Sequence, residues 1–161
     1  MDFVKRVSSP TGIYLAILDE NKDMDLAINA MEIMAELDWE YISDNKASIE
    51  KSEIIVLDAN LKKDVLERAT NEFRHKKLFL DTVSTAKAES AASIIGNFHT
   101  IKPNKIEAET LTGIRIHGRD DLLKAANILH GRGVINVCIT LGKDGVFYST
   151  KDGDHGGYRS T

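Results

Sequence analysis

Residues 54–81, with the sequence IIVLDANLKKDVLERATNEFRHKKLFLD, contain two short apolar runs on either side of a segment with helical periodicity. The first run, residues 54–57, is continuously apolar, which is typical of a strand covered on both faces. Apolar residues then recur at helical spacing, with charged residues between them, at Leu61, Val65, Leu66, Ala69 and Phe73. The second run, residues 78–80, predicts another strand, so the whole stretch predicts a β-α-β unit.

The same alternation continues toward the carboxyl end of the sequence. Helices are predicted around residues 86–95, from Asn104 onward and over residues 121–130, and strands over residues 98–101, 134–140 and 146–149. Strands that alternate with helices predict an α/β fold with a mostly parallel, doubly wound sheet and helices on both faces. Residues 152–158 are interpreted as a turn that leads to a further element outside these residues.

The residues before this alternation have a different pattern. Residues 12–18 are rich in strand-forming residues, residues 19–23 are polar, and residues 24–29 alternate well enough for a return strand. This arrangement predicts a β-hairpin. A short helix is predicted over residues 30–37.

Composition and charge restrict the class of protein. With 161 residues, 42% hydrophobic and 29% charged, the chain is expected to form one globular domain or a large part of one. The net charge of −4 argues against a broad nucleic-acid interface. The apolar runs are far shorter than the ~20 residues of a membrane helix, and residues 1–6 do not have the apolar pattern of a signal-peptide h-region. One cysteine, Cys138, is interpreted as a buried, inert thiol and fits a reducing cytoplasm.

Polar residues follow several of the predicted strands. Ligands of open α/β sheets bind at the carboxyl ends of the strands, and the polar residues at these ends are Asp58, Asn60, Asp81, Lys102, Asn104 and Thr140. Two such ends near one crevice would suit hydrogen bonds to sugar hydroxyls. Helix capping by Asn60 and Ser84 is an equally good interpretation of those two residues.

Asn104 and Glu107 open the helix that follows the strand at residues 98–101. Asparagine followed three residues later by glutamate is typical of a capping box, which is a local structural device. The same two residues could bring a carboxylate to a Mg²⁺-bound water and an amide to nucleotide phosphates, because Mg²⁺ takes oxygen ligands and keeps several waters. The two interpretations are compatible.

The segment TLGKDG at residues 140–145 ends the next strand. It fits a plain strand-turn-strand, since Asp-Gly is a common turn pair. Small residues at a strand end also let backbone N–H groups approach a phosphate or a ribose. Lys143 does not belong to a P-loop, and the Gly-x-Gly-x-x-Gly fingerprint of dinucleotide-binding proteins is absent from the sequence.

These motifs also carry a family resemblance. They are SPTG at residues 9–12, DAN at 58–60, DTVS at 81–84, KPNKIEAETLTG at 102–113 and TLGKDG at 140–145. In this order and spacing they resemble the ribokinase-like (pfkB) family of small-molecule kinases over nearly the whole chain. Within that family, the SPTG opening and the form of residues 102–111 are most similar to the members that act on pseudouridine.

The resemblance implies a reaction and roles for particular residues. It implies transfer of phosphate from ATP, with Mg²⁺, to the 5′-hydroxyl of pseudouridine; another nucleoside or a sugar is the alternative acceptor. By resemblance, Glu107 would serve the metal. Nucleotide binding would fall to Lys102, Asn104, Thr140, Gly142 and Gly145, and substrate binding to Thr11, Asn60 and Asp81. A non-catalytic nucleotide-binding module is the alternative of another class.

The resemblance also implies how the chain is organised. Residues 1–31 would be a hairpin of the lid, and residues 32–161 part of the α/β domain. The glycine pair that the family has before this point and its later Gly-Ala-Gly-Asp motif, which holds the catalytic aspartate, would lie outside these residues. We therefore expect no catalytic base in this chain and negligible activity from it alone. We expect a cytoplasmic location. The expected partners are small molecules only, with no nucleic acid and no membrane. A homodimer is a further expectation.

Overall fold

The computed structural model describes residues 3–18, 20 and 24–158. The chain divides into two compact units, Met1–Lys46 and Ala47–Thr161, which are described separately below. Across the part of the chain that the structure describes, no helix has the length and apolar character needed to cross a membrane.

The first unit contains the hairpin that the sequence predicts. Strands β1 (Ile13–Leu18) and β2 (Met24–Ala30) pair antiparallel. A 3-10 helix at Glu32–Glu36 falls within the segment predicted as a short helix, and helix α1 (Trp39–Asp44) follows it. The polar turn predicted at residues 19–23 lies, apart from Glu20, outside the described residues.

The second unit alternates strands and helices, as the sequence predicts. Helix α2 (Lys46–Ile49) begins at the boundary between the units. The elements that follow are β3 (Ile54–Asp58), α3 (Lys63–Glu72), β4 (Lys77–Asp81), α4 (Thr85–Ala91), a 3-10 helix (Ala92–Asn97), β5 (Thr100–Lys102), α5 (Lys105–Thr112), α6 (Arg119–Gly131), β6 (Asn136–Thr140), a 3-10 helix (Gly142–Asp144), β7 (Val146–Thr150) and β8 (His155–Tyr158).

These strands form one mixed sheet in the order β3-β4-β5-β6-β7-β8. Neighbouring strands from β3 to β6 run parallel, whereas β7 pairs antiparallel with both β6 and β8. The predicted class, a mostly parallel α/β sheet together with a hairpin, is confirmed. Because β3, β4, β5 and β6 run in the same direction, their carboxyl ends share one edge of the sheet.

The helices cover one face of this sheet. Burial alternates along the strands, with Leu78, Leu80, Val137 and Ile139 at most 1% exposed, while Val56 is 71% exposed. Sequential strands that are also neighbours, joined by right-handed crossovers, place their helices on the same side. On the opposite face, which the alternation of strands and helices also predicts to be covered, Ile54 and Val56 of β3 are exposed.

The predicted end of the fold requires a correction. Residues 152–158 do not only turn away from β7, because His155–Tyr158 return as β8 and pair with β7. Two adjacent glycines, Gly156 and Gly157, made this strand hard to predict, because glycine is rare inside strands. In the structure, a Cβ on Gly156 would lie 2.5 Å from the Tyr148 ring. The missing side chain therefore makes room for Tyr148, which stacks on Tyr158 with ring centroids 5.7 Å apart.

Cys138 occupies β6 as predicted but is half-buried rather than fully buried. It follows the strand alternation and lies on the opposite face from Val137 and Ile139, which are completely buried. Burial raises the pKa of its thiol, and the positive charge of Lys102 acts in the opposite direction.

Candidate functional site

The polar strand ends converge at the carboxyl edge of the second unit. Beyond β3, the Ala59 N–H donates to the Asp81 carbonyl at 2.9 Å. Beyond β5, the Pro103 carbonyl accepts from the N–H of Thr140, the last residue of β6, at 2.9 Å, and Asn104 and Thr140 form an isolated parallel bridge. The parallel pairing therefore extends past the regular strands and fixes the loops in which the site residues lie.

A cavity of about 700 Å³ opens beside the end of β6. Its polar lining includes Asn104, Thr140 and Gly142, and its apolar lining includes Ile106, Ile116, Leu122, Val146 and Phe147. Cavities of this volume that combine apolar walls with a few polar groups are typical of small-molecule sites. Three residues predicted to bind nucleotide therefore line one cavity.

The loop between β6 and β7 brings bare backbone to this cavity. Gly142 has a φ of +59° and Gly145 a φ of +89°. The loop is closed by hydrogen bonds from Gly145 N to the Gly142 carbonyl at 3.0 Å and from Leu141 N to the Gly145 carbonyl at 2.8 Å. A Cβ on Gly142 would meet nothing within 4 Å, so this glycine faces open space. The strand-turn-strand interpretation of residues 140–145 is confirmed; Gly145 shapes the turn but does not line the cavity.

Asn104 and Glu107 form the capping box that their spacing predicts. The Asn104 Oδ1 accepts from the Glu107 N–H at 2.9 Å, and the Glu107 Oε2 accepts from the Asn104 N–H at 2.9 Å. The Asn104 Nδ2 also donates to the Glu107 Oε1 at 2.8 Å. A further donor comes from outside the helix, since the Thr82 hydroxyl donates to the Glu107 Oε2 at 2.6 Å.

These contacts determine how Glu107 fits a magnesium ion. Its side chain is 3% exposed, and three of the roughly four lone-pair positions of a carboxylate are used by protein donors. Among the described residues, no group of three or more His, Cys, Asp or Glu side chains could hold a metal. One lone-pair position of Oε1 is left without a protein donor, which is compatible with a contact to a water bound by a metal ion.

Lys102 and Asp81 lie beside the cavity residues but pair with each other. The Lys102 Nζ lies 2.9 Å from the Asp81 Oδ2, with the side chains 52% and 38% exposed. An exposed pair of this kind contributes little to stability. It does orient both side chains at the edge where β4 and β5 end.

The remaining predicted residues have varied positions. Asn60 follows β3, and its N–H donates to the Asp58 Oδ1 at 2.8 Å. The N-cap of α3 is Lys62, so capping by Asn60 is not observed, whereas Ser84 caps α4 by accepting from Lys87 N. Thr11 is exposed and belongs to the first unit, in the segment before β1.

Some of the residues that line the cavity were not predicted from the sequence. Ile116, His117, Gly118 and Arg119, from the loop between α5 and α6, line the cavity, as does Tyr158 of β8. The loop is anchored by the Glu109 carboxylate, which accepts from Ile116 N at 2.9 Å and contacts Arg115 at 3.1 Å. These two contacts lower the pKa of Glu109. No motif marks this loop, because its anchor lies seven residues away on the preceding helix.

Comparison with known proteins shows the family and the fold. The family model of pfkB family carbohydrate kinases matches residues 1–159. Pseudouridine kinase of Escherichia coli is 35% identical over 91% of this chain and 47% of its own length. The ribokinase structure from Thermotoga maritima matches with a TM-score of 0.74 and 25% identity, over 98% of this chain and 50% of that one.

A third comparison concerns the fold. A structure of Arabidopsis thaliana ribokinase complexed with ribose and ATP has a TM-score of 0.75 at 16% identity, over 94% of this chain and 49% of that one. The chain thus spans about half the length of these relatives. The family match over nearly all of its residues shows that the chain belongs to the pfkB family of carbohydrate kinases.

Proposed function

We propose that this chain is the nucleotide-binding part of a kinase that transfers the γ-phosphoryl group of ATP to the 5′-hydroxyl of pseudouridine. The observation that carries the proposal is the cavity at the end of β6, where Asn104, Thr140 and the bare backbone at Gly142 meet apolar walls. The 35% identity to pseudouridine kinase supports the choice of acceptor.

The nucleotide would occupy this cavity. Backbone N–H groups near Gly142 could approach phosphate oxygens, because this glycine has no side chain and the space beside it is open. Asn104 and Thr140 would orient the phosphates, and Gly145 would hold the loop in shape. Lys102, which lies at the neighbouring strand end, would add positive charge outside the cavity lining.

Magnesium would be held chiefly by the nucleotide phosphates and by water. Glu107 would accept a hydrogen bond from one of these waters, through the lone pair of Oε1 that the protein donors leave available. When bound, the ion would neutralise the charge that develops on the transferred phosphoryl group.

The acceptor would lie toward β3 and β4. Asp81 and Asn60 follow these strands, and their side chains carry oxygens suited to sugar hydroxyls. In the first unit, Thr11 is a proposed substrate-binding residue, and residues 1–31 are proposed to be the hairpin of a lid. We further propose that no residue of this chain is the catalytic base, so that these residues alone bind nucleotide without turnover.

The experiment is an ATP-dependent phosphorylation assay of the full-length gene product against pseudouridine, uridine, adenosine, ribose and fructose 6-phosphate. We expect selective turnover of pseudouridine by the full-length protein and none by residues 1–161. Turnover of ribose instead would contradict pseudouridine as the acceptor and favour a sugar kinase similar to the ribokinase relatives. If the full-length protein phosphorylated none of these acceptors but still bound ATP, a non-catalytic nucleotide-binding module would be favoured.

A pair of glycine variants tests the location of the nucleotide. Gly142→Ala adds a Cβ at the cavity, while Gly153→Ala adds one in a turn outside the cavity lining; both glycines have positive φ and open space around them. We expect the KM for ATP to rise for Gly142→Ala alone. Equal KM values in the two variants would contradict this location.

We also propose a cellular location and an assembly to test. A kinase that consumes ATP and acts on small molecules fits a cytoplasmic location, and a homodimer is the assembly that we propose to look for. Light scattering coupled to size-exclusion chromatography of the full-length protein would measure the assembly directly.

A further inference from the structure

Thr82 occupies an unusual position in the loop after β4. Its side chain is completely buried, and its hydroxyl donates to the Glu107 Oε2 at 2.6 Å, with a second, longer contact of 3.4 Å to the Lys102 carbonyl. A capping box needs only the N-cap residue and the residue three positions later. The contact from Thr82 is therefore additional to what helix α5 requires.

The backbone of this loop is strained around the same residue. Val83 has a φ of +62° and is the one non-glycine residue with positive φ within the part of the chain that the structure describes. A β-branched residue rarely adopts this conformation, and such strain persists only where surrounding contacts enforce it. Here the Ser84 N–H donates to the Thr82 carbonyl at 2.7 Å, and the Val83 N–H donates to the Asp81 Oδ1 at 3.1 Å.

The hydrogen bonds connect Thr82 to the cavity. Thr82 holds the Glu107 Oε2, and the Glu107 Oε1 accepts from the Asn104 side-chain amide at 2.8 Å. The opposite end of that amide, Oδ1, accepts from the Glu107 backbone. Both ends of the Asn104 amide are thereby fixed, and Asn104 lines the cavity.

We propose that Thr82 is a positioning residue of the phosphoryl-transfer site, which acts by holding the Glu107 carboxylate and, through it, the Asn104 amide. The inference rests on the proposed function for the identity of the ligand. Residues that orient the groups in contact with a ligand commonly change affinity or activity by about 10- to 100-fold when they are replaced. A purely structural Thr82 would change stability alone.

The test compares three variants in the full-length protein. Thr82→Val removes the hydroxyl at nearly constant shape, and Thr82→Ser keeps the hydroxyl. Thr70→Val is the matched control, because Thr70 is 2% exposed, donates to the Glu67 carbonyl at 3.0 Å and does not line the cavity. The measurements are the Kd of MgATP by calorimetry, kcat and KM for the active acceptor, and the midpoint of urea unfolding.

We expect Thr82→Val to weaken MgATP binding or lower kcat by about tenfold or more, and Thr82→Ser to restore both to within about threefold of wild type. Thr70→Val should lower the unfolding midpoint without changing Kd or kcat. If Thr82→Val does not fold, Thr82→Cys replaces it, and its weaker donor should give values clearly worse than those of Thr82→Ser.

The outcomes separate this inference from the proposed function. A wild-type protein that binds and uses ATP, combined with a Thr82→Val variant that loses only stability, would overturn the positioning role and leave the kinase proposal intact. Equal Kd and kcat for the serine and cysteine variants would overturn it in the same way. A wild-type protein that neither binds MgATP nor phosphorylates any acceptor would overturn both.

Discussion

The loops after β4 and β6 leave the sheet at the same edge, and both enter the left-handed region of the backbone. The β6 loop does so at Gly142 and Gly145, where the absence of a Cβ makes the conformation inexpensive. The β4 loop does so at Val83, a residue for which the same conformation is strained.

The difference shows two ways of shaping a site. The β6 loop has glycines that leave backbone groups open to the cavity, so its conformation is local and inexpensive. The β4 loop is held by contacts of its neighbours with other elements, since Thr82 donates to Glu107 and Asp81 pairs with Lys102 of β5. The conformation of the β6 loop is determined by its own residues, whereas that of the β4 loop depends on its tertiary contacts.

The largest expected effect lies at Gly145. Its φ of +89° and ψ of −137° belong to a region that residues with a Cβ avoid, so Gly145→Ala should lower the free energy of unfolding by about 2–3 kcal/mol. Gly113→Ala is the control, because φ of +76° and ψ of 3° are the milder left-handed conformation of a helix C-cap, where about 1 kcal/mol is expected. Urea unfolding measures both; equal losses would contradict a special role for the Gly145 conformation.

The next effect tests the contacts that hold the β4 loop. Glu107→Gln replaces one accepting oxygen by an amide nitrogen that cannot accept from Asn104 or Thr82, so a loss of about 2 kcal/mol is expected. The control is Glu67→Gln, whose carboxylate is 44% exposed and pairs with Lys63 across one helical turn. Chemical denaturation should find Glu67→Gln close to wild type. A small effect of Glu107→Gln would mean that the buried carboxylate does not organise the loop.

A smaller effect of opposite sign is expected at Val83. Val83→Gly relieves the left-handed strain but increases the conformational freedom of the unfolded chain. Because the Val83 side chain is 43% exposed, its removal costs little packing. The free energy of unfolding should therefore rise by about 0.5–1 kcal/mol. Gly142→Ala is the reverse exchange in the other loop and should lower the free energy of unfolding by about 1 kcal/mol, because a Cβ disfavours the left-handed conformation. Thermal and urea unfolding of both proteins would check the signs. Destabilisation by Val83→Gly would show that the valine side chain, not the turn, matters.

The smallest effect concerns the third loop at the cavity, between α5 and α6. The pKa of Glu109 is lowered by the Ile116 N–H first and by Arg115 second. A lowered folded-state pKa means that this stabilisation is present above the usual value of 4.5 and is lost as the pH falls through the folded-state pKa. The stability difference between wild type and Glu109→Gln should therefore shrink from pH 6 to pH 3.

Hydrogen exchange at the Ile116 amide, followed over the same pH range, would report on the loop itself. Arg115→Gln should have a weaker pH signature than Glu109→Gln, because the Arg115 side chain is 83% exposed and contributes the lesser share of the shift. A pH-independent difference between wild type and Glu109→Gln would contradict the anchoring role of this carboxylate.

The sequence supported correct predictions wherever a feature depends on neighbouring residues. The capping box at Asn104 and Glu107, the Ser84 cap and the turn at residues 142–145 are all formed within a few residues. The alternation of strands and helices follows from periodicity, and it led to the correct sheet class. All the binding roles assigned by resemblance stay predictions; they concern Thr11, Asn60, Asp81, Lys102, Asn104, Glu107, Thr140, Gly142 and Gly145.

The features that the sequence concealed depend on distant partners. Strand β8 contains two adjacent glycines, and it is recognisable only once Tyr148 is seen against Gly156. Coverage of the sheet on one face follows from the strand order, which periodicity does not contain. The loop that supplies Ile116 to the cavity depends on Glu109, seven residues before it, and has no motif of its own.

For this protein, the sequence by itself determined the local elements and the residues at the strand ends, because periodicity, capping and turn chemistry act over a few residues. The order and spacing of its motifs also resemble one family, which the family match confirms. Only the tertiary structure decided that Thr82 is tied to Glu107, which lies 25 residues away, and that Asn104 and Thr140 share one cavity. The physical reason is that parallel pairing brings the ends of separate strands to one edge. Contacts formed there depend on the register of the whole sheet.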